Sequence, residues 1–161
     1  MSDLSRILMI RNRKLDEMRR AEALAQAACA AARQHAVAAS EAMDSYLEEI
    51  RTLEIDLLAE LVGSELKLED FSRLETRLKQ AENRAHFLAD EHASAMSALF
   101  SSEQEIEEAR TARLIAQSKS AKINEVVLLQ FDAARVAAIA TQDAEIDAFV
   151  ETMGKPEGRA T

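Results

Sequence analysis

With 161 residues, three glycines, one proline, no tryptophan and 48% hydrophobic residues, much of it alanine, the chain has the proportions of long helices and not of an α/β or all-β domain. An aromatic content of 4% rules out a core built from rings and leaves two helices to share one seam. The net charge of −9 argues against nucleic-acid binding, which needs a basic face.

The single cysteine, Cys29, excludes a disulfide framework within the chain and fits a reducing cytosol. No apolar run reaches transmembrane length, and residues 1–20 carry six basic residues without a signal-type apolar core. These features predict a soluble, cytoplasmic protein.

The first helix is predicted over residues 4–62. Stepping alternately four and three residues from Leu4 reaches Leu8, Arg11, Leu15, Met18, Glu22, Ala25 and Cys29, then Ala32, Ala36, Ala39, Met43, Tyr46, Ile50, Leu53 and Leu57. Only Arg11 and Glu22 break the apolar pattern, and an unbroken 3.5-residue repeat of this length is a coiled-coil signature. At roughly 1.5 Å per residue the helix would be about 88 Å long. Between Ala21 and Ala42 the seam is almost wholly alanine. Each alanine buries little area, at roughly 25 cal/mol per Å², so this section is expected to be the most weakly held, with the Leu/Ile seams on either side as anchors.

The turn is predicted at residues 63–67. Gly63 is the only glycine before Gly154, and a left-handed conformation costs glycine nothing. Ser64 follows as a turn residue, and Glu69 and Asp70 supply the acidic first turn of a new helix. The second helix is predicted over 68–152, its seam running from Phe71 through Leu74, Leu78, Ala81, Ala85, Leu88, His92, Ala95, Leu99, Ser102, Ile106 and Ala109. The repeat then passes Arg113, Ala116, Ser120, Ile123, Val127 and Gln130 to Ala134, Ala137, Thr141, Ala144 and Ala148, with Gln117 to Lys122 as its weakest stretch. Gly154 and Pro156 should end the helix and leave 154–161 as a disordered tail. The expected fold is thus all-α, a single long antiparallel two-helix coiled-coil hairpin over residues 1–153. Leu57 would lie near Leu74, and Leu4 near Ile123 to Val127. Asp132 to Thr152 would extend past the first helix with no partner in the same chain.

Two regions are apolar or charged beyond what one seam uses. Ile7 to Ile10, and Val126 to Leu129 with Phe131, are apolar on every side of their helices, as buried helices are. Residues 1–20 hold six Lys/Arg against three acids, a net of +3, whereas residues 41–70 hold ten acids against Arg51 and Lys67, a net of −8. Such sorting suits a molecule that docks two partners in a fixed orientation.

No catalytic constellation is present. His86 and His92 are six residues apart and share no helical face, His92 reads as a tolerated seam residue, and Cys29 reads as a small hydrophobe among alanines. The chain also lacks a glycine-rich phosphate loop. Glu/Lys/Arg pairs at helical spacing are surface pairs worth about 0.3–0.5 kcal/mol each. The expectation is a protein that is not an enzyme, with no cofactor or metal site.

The opening Leu4-Ser-Arg-Ile-Leu-Met-Ile-Arg-Asn-Arg-Lys-Leu-Asp-Glu-Met-Arg-Arg-Ala-Glu resembles the stalk proteins of bacterial type III secretion systems, the YscO/SctO family, related to flagellar FliJ. Residues Leu61 to Leu74 are similar to that family's mid-chain segment, with Lys67 standing where a helix-capping serine is expected. The resemblance implies a two-helix antiparallel coiled coil like that of a rotary-ATPase γ subunit. It would insert into the hexameric secretion ATPase and link it to the cytoplasmic ring of the export gate, with escort chaperones as further contacts and a location peripheral to the inner membrane. On this basis Ile7, Ile10, Arg11, Arg13, Arg19, Arg20, Val126 and Leu129 would bind the ATPase, and Tyr46, Ile50, Leu53, Leu57, Leu61 and Phe71 the export gate. An injectisome and a flagellar system fit equally. The competing reading is a generic cytoplasmic coiled-coil scaffold or dimerisation protein. A membrane-surface helix would need a Lys/Arg-rich polar face, and the centre of this chain is acidic.

Overall fold

A computed structural model describes residues 2–63, 65 and 67–154. It contains two helices, α1 (Asp3–Leu61) and α2 (Leu68–Gly154), which pack against each other as in a helical hairpin. Ser2 caps α1: its Oγ accepts the Ser5 N–H at 3.3 Å, and its carbonyl accepts the Arg6 N–H at 3.2 Å. Lys67 holds the equivalent place before α2, where its carbonyl accepts the N–H groups of Asp70 and Phe71 at 3.0 and 3.2 Å. A lysine side chain has no acceptor to offer the free N–H groups of the first turn, so Glu69 and Asp70 supply the favourable charge there.

One expectation about glycine fails. Among the described residues no glycine has a positive φ, so Gly63 does not make the left-handed turn expected of it. A Cβ at Gly63 would meet no atom within 4 Å. Ser64 and Leu66 lie outside the described residues. α2 runs to Gly154, the last described residue. The remainder of the expected disordered tail lies outside the described residues.

Contacts group the helices into two units, Arg19–Ala112 and Met1–Met18 with Arg113–Thr161. In the first, the Tyr46 hydroxyl donates to the Ala81 carbonyl at 3.2 Å, and Arg33 and Glu103 approach to 3.8 Å. In the second, Ser120 Oγ donates to Asn12 Oδ1 at 2.5 Å. Burial follows the 3.5-residue repeat closely. Leu15, Glu22, Cys29 and Ala36 are buried on α1, as are Leu88, Ala95, Ser102, Ala116 and Ser120 on α2, with half-buried residues at most of the seam positions between them.

The departures from the repeat have local causes. Arg11 is exposed, because its charge favours water and Asn12 makes the polar contact with Ser120 instead. Phe71 and Leu78 are exposed at 59% and 43%, and an open cleft lined by Leu57, Leu61 and Leu74 lies near the turn. From Leu128 onward every described residue is exposed, including the seam positions Gln130 to Ala148. The weak stretch Gln117 to Lys122 lies within continuous helix.

Candidate partner-binding surfaces

In the unit formed by residues 1–18 and 113–161, the four consecutive apolar residues of α1 cannot share one face. Leu8 turns into the seam, while Ile7, Met9 and Ile10 are 39%, 54% and 66% exposed. The same division occurs on α2. Val127 is half-buried, whereas Val126, Leu128 and Leu129 are 46%, 58% and 64% exposed. Arg6, Arg11, Arg13 and Lys14 are exposed beside them, Lys14 at 3.9 Å from Glu17. This unit therefore offers isoleucine, leucine and valine interspersed with cations. Of the residues assigned to an ATPase, Ile7, Ile10, Arg11, Arg13, Val126 and Leu129 belong to it, and all are exposed. Arg19 and Arg20, exposed as well, fall in the other unit.

In the unit formed by residues 19–112, the residues assigned to an export gate divide differently. Tyr46, Ile50, Leu53, Leu57 and Leu61 are half-buried seam positions turned toward α2, and only Phe71 is well exposed. The exposed apolar surface near the turn belongs to Ile55, Leu58, Val62 and Leu68, which are 60% to 90% exposed and were not picked out from sequence. A signal existed, because Ile55, Leu58 and Val62 follow a second three-and-four repeat beside the seam. Acidic Glu60, Glu65 and Asp70 and basic Arg73 and Arg77 line the cleft there.

The histidines and the cysteine occupy ordinary positions. His86 lies 3.9 Å from Glu82 on the surface, His92 is half-buried in the seam, and Cys29 is 3% exposed among alanines. Among the described residues no group of three His, Cys, Asp or Glu is placed to hold a metal ion, and no helix is long and apolar enough to cross a membrane. Comparison with known protein families, characterised proteins and solved structures yields no match.

Proposed function

We propose that this chain is a central stalk component of a bacterial type III secretion export apparatus. In this reading its helices form an antiparallel coiled coil that inserts into the hexameric secretion ATPase and links it to the export gate, on the cytoplasmic side of the inner membrane. The observation that carries the proposal is the exposed set Ile7, Met9, Ile10, Val126, Leu128 and Leu129 beside Arg11 and Arg13. Apolar side chains facing outward from both helices suit a surrounding sleeve, and arginine forks suit acidic loops lining it. The resemblance of the opening residues to the stalk family supplies the partners' names.

The test is ATPase turnover with increasing stalk protein, wild type against the Arg11→Glu/Arg13→Glu double variant. Wild type should stimulate turnover and the double variant should do so much less, with the difference largest at low salt, where exposed charges are least screened. No stimulation by wild type, or equal stimulation by both, would reject the assignment.

A second reading, a coiled-coil scaffold that dimerises, draws on the apolar residues left exposed along the 19–112 unit, such as Leu24 at 72%, Val37 at 52% and Leu47 at 51%. It requires a concentration-dependent doubling of mass in sedimentation, whereas the stalk remains monomeric alone.

A further inference from the structure

The last part of α2 has an apolar face left uncovered among the described residues. Leu129, Val136, Ile139, Ile146, Val150 and Met153 are each 51% to 74% exposed and follow a three-, four- and seven-residue spacing. Asp132 and Asp143 occupy the two gaps in that repeat. The positions that continue the internal seam carry Ala134, Ala137, Ala144 and Ala148, each two residues before a large member of the stripe. Two residues turn a helix by about 200°, so the stripe faces away from the side that carries the seam at Ile123 and Val127. Lengthening the hairpin would cover the alanines and leave the stripe in water. The stripe therefore suits a different helix.

Charge selects the occupant. Residues 128–154 hold Arg135 against five acids, Asp132, Asp143, Glu145, Asp147 and Glu151, a net of −4. A second copy laid along the stripe in parallel register would set Asp132 against Asp132 and Asp143 against Asp143, and in either direction it would bring two strongly acidic helices together. An anionic membrane would be repelled in the same way. We propose that residues 129–153 dock an amphipathic helix of a partner protein, with apolar residues at the same repeat and Lys or Arg facing Asp132 and Asp143. A carboxylate inside an apolar seam is tolerated when a cation meets it, and a polar residue at such a position fixes register. The two cations on the partner therefore stand eleven residues apart, matching the spacing of Asp132 and Asp143. This inference shares only Leu129 with the surface of the secretion reading and needs no ATPase.

The experiment uses the full chain and two synthetic helical peptides with leucine and isoleucine at the repeat. One carries lysine at the two positions eleven apart, and the other carries glutamate there. In fluorescence anisotropy the lysine peptide should bind about tenfold or more tighter than its twin, with the gap narrowing as salt screens the charges. Ile139→Ser/Ile146→Ser should abolish binding, Ala137→Ser/Ala144→Ser on the other side should retain it, and Asp132→Lys/Asp143→Lys should reverse the preference. Circular dichroism checks that each variant keeps its helix. Equal binding of both peptides, or binding that survives Ile139→Ser/Ile146→Ser, would overturn the proposal. So would a dimer in sedimentation that this double variant dissolves, or uptake onto anionic vesicles that depends on the stripe.

Discussion

Arg110 Nε lies 3.9 Å from the Glu22 carboxylate, whose side chain is only 11% exposed, while Arg110 Nη1 donates to Glu107 at 3.0 Å. Glu22 is one of the two charged interruptions of the α1 repeat, and α2 supplies its counter-charge. Arg110 is itself 47% exposed, so water weakens the attraction. Arg110→Ala should lower stability by about 1 kcal/mol, chiefly because Glu22 stays buried without that cation. Glu22→Leu/Arg110→Leu should be at least as stable as wild type, because the seam regains an apolar residue at the cost of a register marker. Thermal denaturation of the three proteins tests this. If Arg110→Ala is unchanged, the pair contributes nothing to folding.

In the alanine-rich section, fractional exposure and buried area point in opposite directions. Cys29, Ala36 and Ala95 are exposed by only 3% to 4%, while the larger Leu53, Leu57 and Leu61 are half-buried. Small side chains allow helix axes to approach closely, and a close approach would enclose the backbone although each residue buries little area. Amide exchange should accordingly be slower over residues 25–40 than over 53–63. The opposite order would mean that buried area, not closeness of approach, sets local stability.

Gly63 should be dispensable. Its φ is not positive and a Cβ there meets no atom within 4 Å, so alanine fits the native conformation. Gly63→Ala should stabilise the protein by about 0.4–1 kcal/mol by restricting the unfolded chain. A loss of stability in chemical denaturation would show that the turn needs glycine after all.

The exposed end of α2 should be the first part to open. Every residue from Leu128 to Gly154 is exposed, so the helix there rests on its own propensity. Brief trypsin treatment should cleave after Arg135 before any site in residues 19–112. Removal of the residues beyond it should leave the thermal midpoint of the remainder unchanged within about 1 °C. Early cleavage within 19–112 would contradict this order.

The spacing of apolar residues determined by itself that this chain forms two helices and which side of each is buried. Leu15, Cys29, Ala36, Leu88 and Ala95 sit where the 3.5-residue repeat puts them, because the angle between successive side chains is a property of one helix and needs no neighbour. The exposure of Asp132 to Thr152 was legible too, since it follows from the unequal lengths of the two helices. For the candidate surfaces, Ile7, Ile10, Val126 and Leu129 were legible as apolar residues that a single seam cannot use. What the tertiary structure decided depends on residues far apart in the chain. Asn12, not Arg11, meets α2, because Ser120 lies within its reach. Tyr46 turns toward Ala81, and Ile50, Leu53, Leu57 and Leu61 stay within the hairpin, which leaves Ile55, Leu58 and Val62 as exposed apolar residues near the turn. How closely two axes approach at each level depends on the pair of side chains that meet there, and no periodicity within one helix contains that distance.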